Sequence, residues 1–234
     1  MESIYNLRGP FDKKAAESPK TDVPSAVVRR LPRYHRYLGE LLREGTLRIS
    51  SAELSKTMGV TASQIRQDLN CFGGFGQQGY GYNVKYLYDK ISELLGVKEG
   101  FRAVIVGAGN LGRALAATHM FDRRGVIRAA MFDNNPEIIG TEVCGIPVYS
   151  IDRLGEFCKK EKISIGVLTV PKEAAYEVCE IMVKAGVAGI WNFANMELKI
   201  SEPGVIVENI HLGDSLMALC YEIKMANEKE ADND

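Results

Sequence analysis

The 234-residue chain has a formal net charge of −1 and a hydrophobic fraction of 46%, which excludes both a uniformly basic polymer and a disordered polar one and leaves room for one large domain or two smaller ones. The charge is uneven: residues 25–95 hold ten Lys or Arg against six Asp or Glu, a net of +4, and residues 96–234 hold fifteen against twenty, a net of −5. Five cysteines, Cys71, Cys144, Cys158, Cys179 and Cys220, none at C-x-x-C spacing, read as reduced thiols with no metal site, and the absence of a bilayer-length apolar run or a signal peptide points to a cytoplasmic protein.

Residues 1–24 are polar and aperiodic and read as a disordered leader. From Ser25 to about Arg43, Val28, Leu31, Tyr34, Leu38, Leu41 and Leu42 recur at helical spacing, with Pro24 to open the helix, Gly45 to close it and Pro32 as a kink. Arg29, Arg30, Arg33 and Arg36 on this segment form either a solvated face or a set of phosphate contacts. Ser50-Ser51-Ala52-Glu53 and Thr61-Ala62-Ser63-Gln64 are two capping-box patterns. They open two short helices, the first stopped at Gly59 and the second running to about Phe72, with Leu54, Val60, Ile65 and Leu69 as their shared core. A helix, a short turn containing glycine and a second capped helix is the helix-turn-helix pattern of DNA-binding proteins, although many such hairpins are only structural. The following stretch, Gly73 to Tyr82, interleaves glycines and aromatics with polar groups and suits a β-hairpin wing whose amides approach phosphate. A helix at Val84–Leu95 closes a domain of residues 25–95, and Gly96 to Gly100 form the linker.

Ala103 to Val106 is a short buried-strand pattern that runs into Gly107-Ala108-Gly109-Asn110-Leu111-Gly112. In this G-x-G-x-x-G fingerprint the first glycine allows the tight turn, the second lets a pyrophosphate reach the amides at the helix N-terminus, and the third lets helix and strand pack closely. A second strand, Arg128 to Phe132, ends in Asp133, 21 residues past Gly112, where a carboxylate accepts from ribose hydroxyls and repels a 2′-phosphate, favouring NAD(H) over NADP(H). Strands at Ile146–Val148, Ile163–Val170 and Gly189–Phe193 alternate with helices near Ile151–Glu161 and Glu173–Ala185, and Val205–Val207 offers an edge strand. This rhythm predicts an α/β fold: a Rossmann-type doubly wound parallel sheet over residues 96–211, following the N-terminal winged helix-turn-helix domain. The cofactor-binding set is Gly107 to Gly112 with Asp133 and Asn134, the strand-end loop Thr169-Val170-Pro171, and Asn192 and Phe193 from a second strand end. Residues 212–234 hold an amphipathic helix from about Asp214 to Met225 whose stripe, Leu216, Leu219, Cys220 and Ile223, must be covered; a two-fold DNA site favours a partner subunit as the cover.

A dehydrogenase needs an acid or base beside the nicotinamide and a region for its substrate. Only about 100 residues follow Asp133, and the sheet occupies most of them. Of the three histidines, His35 sits in the N-terminal domain, and His119 and His211 could approach the cofactor but have no carboxylate partner recognisable in sequence. A sensor that reads the dinucleotide is therefore preferred; the alternatives are a small NAD-dependent oxidoreductase and a scaffold whose sheet binds nothing.

The segments Ser63–Leu69, Phe72–Gly76 and Gly79–Tyr82, with Val106–Leu115, Phe132-Asp133, Leu168–Pro171 and Asn192–Ala194, closely resemble the Rex redox-sensing repressors, in one order from about residue 25 to 226. The resemblance implies a homodimer with a winged-helix domain, a Rossmann domain holding NAD(H), and a C-terminal helix swapped between subunits. It implies repression of fermentation and anaerobic respiration genes, release from palindromic operator DNA by NADH, and competition by NAD+ without release. In DNA the recognition helix would present Thr61, Ser63, Gln64, Arg66 and Gln67, the wing Gln78, Gly79, Tyr80, Gly81 and Tyr82, and the leading helix Arg29, Arg30 and Arg33. The chain departs from the commoner pattern at Gln67 and Gln78, where Lys or Arg is frequent, and at Cys71, where an aromatic is. It departs also at Thr118 and His211, where some members carry Tyr and Asp.

Overall fold

The computed structural model describes residues 23–71, 76–77 and 81–231, and the chain divides into two units between Leu95 and Gly96. In the first unit the single helix expected from Ser25 to Arg43 is two, α1 (Ser25–Val28) and α2 (Leu31–Arg43). Pro32 is the physical reason. It offers no amide proton to the Val28 carbonyl, and its ring would strike that carbonyl in a continuous helix; in the first turn of α2 the missing proton costs nothing. The chain continues through β1 (Arg48–Ile49), α3 (Ser51–Met58), α4 (Ala62–Asn70), β2 (Gly76–Gln77), β3 (Gly81–Asn83) and α5 (Val84–Leu94). The strands pair antiparallel in the order β1-β3-β2.

The first capping box forms in full: the Glu53 amide donates to Ser50 Oγ at 3.1 Å and the Ser50 amide to Glu53 Oε2 at 2.8 Å. The second forms by half. Thr61 Oγ1 accepts from the Gln64 amide at 3.1 Å, but the Gln64 side chain turns down its own helix to Asp68. Tyr34 and Leu38 of α2, Leu54 of α3, Ile65 of α4 and Val84 and Leu87 of α5 are fully buried together, each contributing about 1.5–3 kcal/mol of burial.

Among them lies one charged group. Asp68, fully buried on α4, accepts from Arg30 Nη2 at 2.7 Å and Gln64 Nε2 at 2.9 Å on Oδ1, and from Arg30 Nε at 2.7 Å and Tyr34 Oη at 2.9 Å on Oδ2. Burial pushes the Asp68 carboxyl up, but the bonds from Arg30, Gln64 and Tyr34 together outweigh it and hold it below its ordinary value. Burial and the bond to Asp68 push the Tyr34 hydroxyl up.

The second unit comprises β4 (Arg102–Val106), α6 (Asn110–Ala117), β5 (Ile127–Asp133), β6 (Glu142–Val143), β7 (Ile146–Ser150), α7 (Leu154–Lys160), β8 (Ile165–Leu168), α8 (Lys172–Lys184), β9 (Gly189–Asn192), β10 (Ile206–Asn209) and α9 (Leu212–Ala231). Its sheet runs β10-β9-β8-β4-β5-β7-β6, parallel except for β6. Alternation along the strands sends Val104, Val106, Phe132 and Leu168 to one face, under α7 and α8, and Ile105, Met131 and Val167 to the other, with Ala116 of α6 and Phe121. Among the described residues no helix is long and apolar enough to cross a membrane.

Asp68→Ala is expected to destabilise the first unit by on the order of 3 kcal/mol, because it strands Arg30 and Tyr34; urea denaturation checks it. The folded carboxyl lies below its ordinary 3.8, so its contribution is complete above that value and is lost as pH falls through the lowered one. The stability gap between wild type and Asp68→Asn should therefore stay flat from neutral pH to about 5 and close under stronger acid.

Candidate functional site

Strand order places the functional edge of the second unit. From β4 the chain winds outward through β5 and β7, then returns to the other side of β4 as β8. Where the winding reverses, the loops leaving β4 and β8 diverge and open a crevice at the carboxyl ends of the strands. The fingerprint loop leaves β4 there and Thr169-Val170-Pro171 leaves β8.

Each glycine of the fingerprint answers to a different neighbour. Gly107 sits at φ +100°, and a Cβ on it would lie 2.6 Å from the Thr169 carbonyl oxygen. A Cβ on Gly112 would run into the Gly107 carbonyl oxygen, so this residue is what lets α6 lie so close to the loop. Gly109 faces open space, with nothing within 4 Å of a Cβ built there. It caps α6 without any side-chain bond, so the first amides of α6 point toward the crevice, an arrangement suited to a pyrophosphate.

Thr169 braces the loop: its hydroxyl lies 2.8 Å from the Gly107 carbonyl oxygen and 3.0 Å from that of Val106, and its amide donates to Val106 at 2.8 Å. Asp133 braces it from the other side. Its Oδ2 accepts from the Ala108 amide at 2.6 Å and its Oδ1 from the Asn135 amide at 2.9 Å, which fixes the carboxylate while leaving each oxygen further acceptor capacity.

A cleft of about 710 Å³ opens from this loop. Of the expected residues, Gly107, Gly109, Asp133, Asn134, Thr169, Val170 and Pro171 line it. Ala108, Asn110, Leu111 and Gly112 belong to the loop and helix start behind them. Asn192 and Phe193 are not brought into it. Asn192 is fully buried; its amide donates to the Met196 carbonyl and to Asn209 Oδ1, and its carbonyl accepts from the Ala194 amide. Phe193 stacks edge-on against Trp191, centroids 4.6 Å apart, over the α6 face of the sheet.

Sequence reasoning missed the far wall, where Ile151, Gly155, Ala174, Val178 and Ile181 form an apolar slot between α7 and α8 and Asp152, Glu156 and Glu177 stand at its rim. The signal was available: Ile151 and Asp152 directly follow β7, whose carboxyl end lies on the same sheet edge. With Asp133 the cleft has four carboxylates and no Lys or Arg in its lining, a surface that accepts ribose hydroxyls and amines and repels a phosphate on the ribose.

In the first unit, α3, the turn at Gly59 (φ 60°) and α4 form the expected helix-turn-helix. Thr61, Ser63, Arg66 and Gln67 are exposed on it, as are Arg29 and Arg33, and Arg66 Nη1 donates to Ser51 Oγ at 3.1 Å. Two expected contacts are engaged elsewhere: Arg30 grips Asp68, and the Tyr82 ring is 9% exposed in the core of the unit. Gln64 gives one amide proton to Asp68 and keeps its Oε1 and a second N–H. Gly81 serves the sheet: at φ +69° it passes so close to β1 that a Cβ would lie 2.8 Å from the Ile49 carbonyl oxygen. Gln78, Gly79 and Tyr80 lie outside the described residues.

Gly109→Ala and Gly112→Ala separate site from fold. The first is expected to leave thermal stability within about 0.5 kcal/mol of wild type while weakening dinucleotide binding in calorimetric titration; the second is expected to lower both.

A family model described as "CoA binding domain" matches residues 98–196, and one described as "Putative DNA-binding protein N-terminus" matches residues 22–70. The redox-sensing transcriptional repressor Rex of Clostridium botulinum (strain Alaska E43 / Type E3) is 50% identical over 202 residues, covering 86% of this chain and 96% of the relative. RSP, a Rex-family repressor, solved in complex with β-NAD+ and operator DNA, matches at TM-score 0.81 and 47% identity over 88% of this chain and 94% of that one. RSP in complex with β-NADH matches at TM-score 0.82 and 44% identity over 89% and 98%. With half its residues shared along nearly the whole of a Rex protein, and with both units in the expected order, the chain belongs to the Rex family of redox-sensing transcriptional repressors.

Proposed function

We propose that this chain binds palindromic operator DNA as a homodimer through residues 25–95, and that NADH in the cleft of residues 96–211 releases it. The observation that carries the reading is the union in one chain of a helix-turn-helix and a dinucleotide cleft whose lining includes no His, Lys, Tyr or Cys. Such a cleft can hold a nicotinamide cofactor, and the acid–base groups in its lining are the carboxylates Asp133, Asp152, Glu156 and Glu177, without the His, Lys or Tyr that a dehydrogenase usually sets beside the nicotinamide. The structures of RSP with β-NAD+ and operator DNA, and with β-NADH, support it from a relative.

In this reading the amides around Gly107 to Gly112 hold the pyrophosphate, Asp133 and Asn134 hold the adenosine ribose, and Thr169, Val170 and Pro171 wall the cleft. The four carboxylates select a ribose without a phosphate. That disfavours NADP(H), and it disfavours coenzyme A, whose ribose is also phosphorylated, in spite of the description of the matching family model. Thr61, Ser63, Arg66 and Gln67 face the major groove, with Arg29 and Arg33 on phosphates. The apolar side chains of α9, Leu216, Met217, Leu219 and Ile223, are all more than half exposed; residues 212–234 pair the two copies, and a second copy of the chain covers them. A protein with this role works in the cytoplasm, beside the DNA.

Release follows from linkage. NADH must bind the non-DNA-binding arrangement more tightly than the other, and DNA then weakens NADH by the same factor. Fluorescence anisotropy on a labelled operator at fixed salt should show release on adding NADH and none on adding NAD+; binding indifferent to both would overturn the redox reading. Arg66→Ala should weaken operator binding by about 1–3 kcal/mol if it reads a guanine. Calorimetry should rank NADH at least about tenfold above NADPH and coenzyme A, a gap of about 1.4 kcal/mol. Leu216→Glu with Ile223→Glu should halve the mass seen by light scattering.

A further inference from the structure

Every hydrogen-bonding position on the Asp68 carboxylate is taken. Oδ1 accepts from Arg30 Nη2 and Gln64 Nε2, and Oδ2 from Arg30 Nε and Tyr34 Oη. A carboxylate offers about four acceptor sites, so the group is saturated, and its full burial together with the two-point grip of Arg30 leaves it no freedom to turn. Three of the four donors have structural work. Arg30 joins the break between α1 and α2 to α4, and Tyr34 is wholly inside the core. Gln64 is different. It is the third residue of α4, half-buried, in the N-terminal part of the helix from which base contacts reach.

A glutamine amide is nearly symmetric in shape and opposite in chemistry at its two ends. Unrestrained, it can turn its oxygen or its nitrogen toward a partner, and so it discriminates poorly between a base edge that donates and one that accepts. Against Asp68 only one orientation is allowed. An ionised carboxylate accepts and does not donate, so Nε2 must face it, at 2.9 Å, and Oε1 would be repelled. Held below its ordinary value by its hydrogen bonds, the Asp68 carboxyl stays ionised throughout the neutral range and keeps that condition satisfied.

We infer that Asp68 is a specificity-determining positioning residue: by holding one proton of Gln64 Nε2 it fixes the amide so that the recognition helix presents an ordered acceptor and donor, Oε1 and the remaining N–H, to an adenine. This rests on the reading of α4 as the helix that enters the major groove. Adenine alone shows the complementary pair there, an N6 amine that donates and an N7 that accepts, whereas guanine shows two acceptors and would meet Oε1 with like charge. The carboxylate never touches the DNA.

The test uses the full chain and the best duplex recovered by wild type from a randomised pool. Each A·T pair of a half-site is changed to G·C in turn, and Kd is read by anisotropy at one salt concentration for wild type, Gln64→Leu and Asp68→Asn, each shown folded by circular dichroism at the assay temperature. Wild type should have one adenine per half-site whose change to guanine costs about 5- to 150-fold, and replacing that adenine with 7-deazaadenine should also weaken binding. In Gln64→Leu the penalty at that position should fall below about twofold with the other positions unchanged. In Asp68→Asn it should fall as well, because a carboxamide has one acceptor oxygen where the carboxylate had two, so Gln64 must compete with Arg30 for it and is no longer held in one orientation. Penalties in Gln64→Leu equal to wild type at every position would overturn the assignment, and so would a full penalty in folded Asp68→Asn. A wild-type protein that enriches no duplex would overturn the DNA-binding reading itself, and this inference with it.

Discussion

A parallel sheet that is wound both ways from one central strand has to separate a pair of loops where the winding reverses, and the chemistry of the second unit is arranged around that separation. Here the strand is β4 and its neighbour is β8. The loop that leaves β4 is pinned on one side by Thr169 and on the other by Asp133, so its amides are held in place before any ligand arrives. A preorganised anion site loses little ordering entropy on binding. The same closeness explains why two of the three glycines admit no side chain while Gly109, which faces the crevice, has room for one.

The first unit depends on a different device. A small helical core would be as stable, or more so, with apolar side chains in place of a buried charge pair, yet Asp68, Arg30 and Tyr34 occupy its centre. What the polar cluster supplies is a unique geometry. It ties a helix broken by Pro32 to α4 at a single angle, and it does so with every hydrogen bond made, the condition under which buried networks specify a structure. For a helix proposed to meet base edges, that fixed angle matters more than additional stability.

Much of this was legible in the residues. The fingerprint after Val106, the acid at Asp133 and the strand rhythm gave the parallel sheet because each is a local pattern with a local cause. Ser50 and Glu53 gave the start of α3 for the same reason. What was not legible was long-range. Arg30 and Asp68 lie 38 residues apart, and no periodicity reveals that an arginine in a basic run turns inward, or that Gln64 prefers a carboxylate to its own helix cap. Tyr82 read as a wing residue because alternation in a strand does not say which face is the core. The two-residue strands β1 and β6 are too short to show any period. Asn192 followed a strand end toward the crevice, but its amide is consumed in fastening the turn to Asn209 on the neighbouring strand.

The carboxylates at the rim of the cleft bear on how such a protein responds to its surroundings. A pyrophosphate entering among Asp133, Asp152, Glu156 and Glu177 meets repulsion that dissolved ions screen over about 8 Å at physiological ionic strength, so added salt relieves that repulsion. Added salt also strips counterion-driven affinity from the DNA. On the proposed function, ionic strength would therefore act on both halves of the linkage at once, in the cleft and at the DNA.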